Sequence, residues 1–267
     1  MYSVEALGPV TVGRGTVQAL AVRMRVFVYA VDGLLIDTGP RRLGKTFPAL
    51  LGRMPPVQQV VLTHLHEDHS GMAAFVAERL GVPIYCRDTT GMAAGQAVRL
   101  PLYRHLFWGT PAPFAARALA GTVETGRYTF TVIPTPGHAG DHVALYEPNE
   151  GWLFSGDLFL GTRLGPVMRQ ESMPVLMDSL RRVLALPFDT LFCSHAGPVP
   201  DGRASLKRKL QVLSDIQGQV RELAGRGWSI DQVTRHLFPS KPAITWLSLG
   251  EFSFANIVRS FWPEPKA

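Results

Sequence analysis

The chain has 267 residues, of which 46% are hydrophobic and 18% charged, with a formal net charge of +6. That length accommodates one large domain with a sizeable core, or a domain with an appendage, and the apolar content excludes a disordered chain. The surplus of 27 basic over 21 acidic residues is spread along the sequence without a basic stretch interleaved with aromatics, which argues against a nucleic-acid partner.

No apolar run reaches the ~18–20 residues of a membrane span, and Met1-Tyr2-Ser3-Val4-Glu5 lacks the basic start and apolar run of a secretory signal. A cytoplasmic location with no membrane partner is therefore expected. Cys86 and Cys193 stand in apolar strand-like segments without CxxC spacing and read as buried free thiols.

Strands are expected at Val10 to Val12, Val17 to Ala21, Val26 to Ala30 and Leu34 to Asp37, a meander with Gly and Asp-Gly turns in which Asp32-Gly33 is a hairpin signal. Helices are expected at Thr46 to Gly52 and Gly71 to Arg79, the second with Ser70 as its cap. Between them, directly after the apolar run Val57 to Leu62, stands Thr63-His64-Leu65-His66-Glu67-Asp68-His69. It reads as strand, ligand loop, helix. Residues two apart on an extended segment point the same way, so His64 and His66 can reach one ion; Asp68 and His69, after the chain turns, can reach a second. Imidazole with carboxylate suits zinc, and also iron or manganese, while the lack of nearby thiolates argues against a structural cysteine-rich site.

Residues 98–120, VRLPLYRHLFWGTPAPFAARALA, break the rhythm of strands and helices. The segment reads as a lid or pocket wall carrying Tyr103, Phe107, Trp108 and Phe114, or equally as an irregular insertion whose aromatics pack on the sheet. Three later segments each present a polar residue at the end of a short apolar strand: His138 in Pro134-Thr135-Pro136-Gly137-His138, Asp157 in Ser155-Gly156-Asp157, and His195 in Cys193-Ser194-His195-Ala196-Gly197. Catalytic residues on loops held by a rigid sheet are the usual arrangement, and a carboxylate such as Asp157 can bridge two cations. His105 and His236 read as ordinary hydrogen-bonded residues, and His142 as a supporting residue rather than a ligand.

Helices are expected again at Met173 to Leu186, at Ala204 to Leu223, after Ser229 and near Phe252 to Phe261. Leu206, Leu210, Leu213, Ile216, Val220 and Leu223 follow helical spacing, so residues 204–267 read as a helical cap docked on a domain of residues 1–203. The first turn carries Arg203, Lys207, Arg208 and Lys209, which read as a solvated face or as contacts to an acidic small molecule such as a glutathione, coenzyme A or nucleotide derivative. Tyr103, Phe107, Trp108, Arg203 and Lys207 are accordingly the candidate substrate contacts.

The THLHEDH, PTPGH, SGD and SHAG segments resemble the metal motifs of the metallo-β-lactamase-fold superfamily, whose members include glyoxalase II, lactonases, β-lactamases, ribonuclease Z and persulfide dioxygenases. The resemblance implies an α/β (α+β) architecture: an αβ/βα four-layer sandwich of two mixed sheets with the metals in a cleft at one edge, here followed by a helical appendage. It further implies that His64, His66 and His138 hold one metal, that Asp68, His69 and His195 hold a second, and that Asp157 bridges them. Quorum-quenching lactonases place a tyrosine three residues after the bridging aspartate, whereas Asp157 is followed by Leu158-Phe159-Leu160. Most zinc β-lactamases lack that aspartate, and flavodiiron proteins replace the second histidine of the cluster, here His66, by glutamate.

The expected function is metal-dependent hydrolysis of a small thioester, ester or lactone by a hydroxide bridging two divalent ions, with Asp68 and Asp157 as catalytic residues. The alternatives are a mononuclear iron enzyme of the persulfide dioxygenase type, holding its metal through His64, His138 and Asp157, and, behind it, a nuclease or a non-catalytic metal-binding protein.

Overall fold

The structure is a computed structural model describing residues 2–19 and 22–263. β1 (Ser3–Leu7), β2 (Val10–Ala19), β3 (Val22–Val31) and β4 (Leu34–Ile36) form an antiparallel meander. After α1 (Phe47–Leu51), the same sheet continues in parallel through β5 (Gln59–Val61). It then runs through α2 (Glu67–Ser70) and α3 (Ala73–Leu80) to β6 (Ile84–Cys86), and through α4 (Leu102–Trp108) to β7 (Arg117–Ala118). The second sheet begins with the antiparallel run β8 (Thr122–Glu124), β9 (Thr129–Pro134), β10 (Val143–Glu147) and β11 (Trp152–Gly156). Past β12 (Val167–Met168) and α5 (Met173–Leu184), β13 (Thr190–Cys193) joins β11 in parallel and β14 (Gly197–Val199) closes the edge. The chain ends in α6 (Gly202–Gly225), α7 (Ile230–Leu237), α8 (Ala243–Leu247), β15 (Phe252–Ser253), which pairs with β12, and α9 (Phe254–Phe261).

Strand alternation builds the layers. Phe27, Tyr29 and Val31 of β3 point to the second sheet and meet Phe130, Phe154 and Phe192, while Val28 and Ala30 point outward and pack with Phe47, Leu50 and Val76. Phe154 and Phe192 stack at 4.5 Å, and each buried ring of this kind contributes about 1.5–3 kcal/mol. On the far side of the second sheet, Leu153 and Leu191 share a core with Leu176 and Leu180 of α5, with Leu206, Leu213 and Val220 of α6, and with Ile257 and Val258 of α9. This is the four-layer α/β sandwich, and the C-terminal helices bury their apolar faces in its outer core.

Several local expectations are corrected. Strands expected separately at Val10 to Val12 and Val17 to Ala21 form one strand, β2, that runs through Gly13 and Gly15. Those glycines are not turns: a Cβ at Gly13 would lie 2.8 Å from Leu50 and Met54, and one at Gly15 2.5 Å from Leu43, so they make room for the connection that packs on the strand. Leu20 and Ala21, the end of the expected second strand, lie outside the described residues. β1 went unforeseen: its alternation of Val4 and Ala6 with Ser3 and Glu5 spans only five residues on a mostly exposed sheet edge. Ser70 does not cap a helix; its hydroxyl donates back to the carbonyls of Leu65 and His66, closing α2, and α3 starts after Met72 without a side-chain cap. The Asp32-Gly33 hairpin forms as expected, with both residues at positive φ, 46° and 83°. Cys86 and Cys193 are buried and free. Among the described residues no helix is long and apolar enough to cross a membrane.

Candidate metal centre

The seven candidate ligands converge where strand ends of both sheets meet. His64 and His66 follow β5, His138 follows β9, Asp157 follows β11, and His195 lies between β13 and β14. Main-chain bonds lock these ends together: Val143 N donates to Thr63 O at 2.8 Å across the sheets, and Phe27 N donates to Ser194 O at 2.8 Å. The turn before Asp157 needs a glycine, because Gly156 has φ 48° and a Cβ there would lie 2.6 Å from His142 Nε2.

Two groups of ligand atoms form, each drawn together within 4.8 Å: His64, His66 and His138, and Asp68, His69, Asp157 and His195. In the first, His66 Nδ1 lies 3.0 Å from His64 Nε2 and 2.9 Å from His138 Nε2. In the second, His195 Nε2 is 3.1 Å from Asp68 Oδ2. Asp157 joins the two: its Oδ2 is 3.4 Å from both His138 Nε2 and His195 Nε2, and its Oδ1 is 3.4 Å from His69 Nε2.

Neighbouring side chains fix how these groups present their lone pairs. Asp37 accepts from Thr63 N at 2.8 Å and lies 2.8 Å from His69 Nδ1, so that nitrogen carries the proton and Nε2 is left as the acceptor. Glu171 plays the same part for His138 Nδ1 at 2.9 Å and is held by the main-chain N–H of Met168 at 2.7 Å. His195 Nδ1 donates to the carbonyl of Arg25 at 2.6 Å. His142, fully buried, accepts the Asp157 N–H on Nε2 at 2.9 Å and donates from Nδ1 to Thr135 Oγ1 at 2.8 Å. It supports the site rather than joining either ligand group.

This arrangement fits divalent cations. His69 Nε2 and Asp157 Oδ1 are both buried without a hydrogen-bond partner, and they face each other at 3.4 Å. With one His69 proton on Nδ1, that contact would set two lone pairs against one another unless positive charge stands between them, supplied by a second proton on His69 in the metal-free protein or by a bound cation. Burial, reinforced by the other histidines, holds His64 and His66 well below the usual histidine range, the neutral form that ligates. Burial also opposes charge on His69 and His195, yet the carboxylates around them, Asp157 above all, outweigh it and draw both well above that range. The second group thus concentrates negative charge that positive charge must answer.

The candidate substrate contacts separate. Trp108 is half-buried beside the site, its ring 6.4 Å from that of His195. Phe107 is buried in the outer core of the first sheet and stacks edge-on against Trp108, and Tyr103 packs on Phe252. Arg203 is engaged elsewhere, donating to Leu184 O at the end of α5, and Lys207 lies exposed on α6. Of that basic turn, Lys209 is the buried member: its ammonium donates to the carbonyls of Leu158 and Phe159, just past Asp157, and burial brings its pKa down to about 8. His105 pairs with Thr110 at 2.6 Å and His236 packs on Trp228, both away from the ligand groups. Sequence reasoning did not assign roles to Asp37, Glu171 or Arg104, whose partners Thr63, His138 and Glu67 lie 26, 33 and 37 residues away in the chain.

Comparison with known proteins agrees with this geometry. The family model described as "Metallo-beta-lactamase superfamily" matches residues 23–195. The probable metallo-hydrolase YqjP of Bacillus subtilis is 24% identical over 80% of this chain and 81% of its own length. The hydroxyacylglutathione hydrolase of Cereibacter sphaeroides is 34% identical over 57% of this chain, which spans about half, 52%, of that enzyme. A beta-lactamase domain protein from Burkholderia ambifaria superposes with a TM-score of 0.72 at 20% identity, covering 96% of this chain and 86% of that one, a likeness of fold.

Proposed function

The chain belongs to the metallo-beta-lactamase superfamily, and on that premise we propose that it is a hydrolase of small thioesters, esters or lactones working through two divalent ions, zinc before iron or manganese. The observation that carries this reading is Asp157, whose two oxygens reach both ligand groups while its Oδ1 and His69 Nε2, both buried and without a hydrogen-bond partner, face each other. His64, His66 and His138 would hold one ion, Asp68, His69 and His195 the other, with Asp157 between them. Divalent ions held there would supply a water with its pKa lowered to about 7 and Lewis-acid polarisation of a scissile carbonyl.

The protein's own groups do the rest. Asp37 and Glu171 keep His69 and His138 in the tautomer that offers Nε2, and His142 holds the Asp157 main chain so that the carboxylate stays between the two groups. Asp68, on the first turn of α2, is the carboxylate that orients the attacking water and accepts its hydrogen bond. A thioester suits such a site, because a thiol of ordinary pKa about 8.5 leaves without help from a protein acid. The relative named as a hydroxyacylglutathione hydrolase supports the thioester member of the substrate set. The test is a panel of thioesters, esters and lactones assayed with the metal-replete protein and with Asp157→Ala. Turnover that the variant loses together with one ion supports the reading, and full turnover by a variant holding one ion contradicts it.

A further inference from the structure

α4 is only seven residues long, too short to persist by its own hydrogen bonds, so side-chain anchors must set its position. Phe107 is one anchor, sunk into the outer core of the first sheet. Arg104 is the other. Its Nη2 and Nε reach Glu67 Oε2 at 2.7 and 3.2 Å, and its Nη1 reaches Glu251 Oε1 at 3.4 Å. One guanidinium therefore ties three parts of the chain: α4, the ligand loop between His66 and Asp68, and the turn before β15. Glu67 is 4% exposed, so the pair is shielded from solvent, and Arg104 is the one cation in an ion pair with either carboxylate among the described residues.

Arg104 and Trp108 are four residues apart and share a face of α4, while Leu102 and Leu106 expose the other. The face that Arg104 pins is therefore the one that carries Trp108 to 6.4 Å from His195. Without the guanidinium, Glu67 and Glu251 would confront each other, their repulsion would push the ligand loop and the turn before β15 apart, and α4 would lose its tie to both.

We infer that Arg104 is a positioning residue that latches α4 to the ligand loop and the C-terminal segment, so that Trp108 stands as a fixed wall limiting the substrate group on the His195 side. The substrate part rests on the hydrolase reading above; the latch itself does not.

Two measurements on the full-length protein test it, using Arg104→Met, Arg104→Lys and Glu251→Gln. The first is acrylamide quenching of tryptophan fluorescence without substrate, with the same variants carrying Trp108→Phe as the difference that isolates Trp108. Arg104→Met should raise the accessibility of Trp108 severalfold, with Arg104→Lys and Glu251→Gln between it and the parent. Parental quenching in all three would overturn the latch, and Arg104→Lys with Glu251→Gln decides the matter should Arg104→Met fail to fold. The second is a double-mutant cycle on KM with Trp108→Ala. Arg104→Met should raise KM about tenfold with kcat within about twofold, and should add little once Trp108 is gone. Effects on KM that simply multiply would overturn the role assigned to Arg104. Quenching needs no turnover, so absence of hydrolysis would reject the hydrolase reading and leave the latch decided on its own.

Discussion

His142 Nε2 accepts the main-chain N–H of Asp157 at 2.9 Å, fifteen residues away along the chain. Burial brings His142 down to about 3, so the ring is neutral, and its second nitrogen is used by Thr135. His142→Ala leaves the Asp157 N–H buried and unpaired, at a cost of about 1–3 kcal/mol. A lower denaturant midpoint with unchanged slope, together with weaker metal retention, is the expected result.

Asp37 and Glu171 serve different ligand groups, and their removal should be distinguishable. Asp37→Ala frees His69 Nδ1 and removes the acceptor of Thr63 N, so the ion held with Asp68 and His195 should be lost first, its affinity falling about 10–100-fold. Titration with a competing chelator measures this against the parent.

Glu171→Ala frees His138 Nδ1 and the main-chain N–H of Met168, so the complementary loss is expected. The ion shared by His64, His66 and His138 should weaken by about 10–100-fold while the other is retained. Replacing the metals with cobalt and following the two absorption envelopes in each variant separates the sites.

Gly156→Ala should be far more damaging than an ordinary glycine replacement in a strand. Its φ of 48° strains any L side chain, and the new Cβ would fall 2.6 Å from His142 Nε2, the contact that orients Asp157. Loss of metal together with a fall in thermal midpoint, both measured on the purified variant, is the expected outcome.

The stability of metal-stripped protein should decline as pH rises above neutrality. His69 and His195 have folded pKa values raised above the unfolded value, so their contribution is fully present below about 6.5 and is lost as pH climbs through the folded values. Asp68, brought down to about 2 by His69 and His195 against the effect of burial, works oppositely, contributing above about 3.9 and failing as pH falls toward 2. Metal binding displaces the histidine protons and should tighten with rising pH. Chemical denaturation between about pH 2 and 9, with and without metal, checks both signs.

The candidate ligands that folding brings together were legible in the sequence because each is local: His64, His66, Asp68 and His69 sit on one strand-loop-helix segment, and His138, Asp157 and His195 each end a short apolar strand. What holds them was not legible, because those partnerships are made by folding. Glu171 reaches His138 across 33 residues, and Arg104 reaches Glu67 across 37 and Glu251 across 147. Gly13 and Gly15 misled for a related reason: glycine is a turn signal when read locally, and here its small size serves tertiary packing. The basic first turn of α6 likewise divides by burial, Arg203 outward to Leu184 O and Lys209 inward to Leu158 and Phe159, a distinction that charge alone does not carry.

The central claim is one site for two divalent ions joined by Asp157, and metal content tests it most directly. Elemental analysis of protein purified without added metal or chelator should find about two zinc ions per chain in the parent and fewer in Asp157→Ala. A single iron per chain, with oxygen consumed on a persulfide substrate, would contradict it.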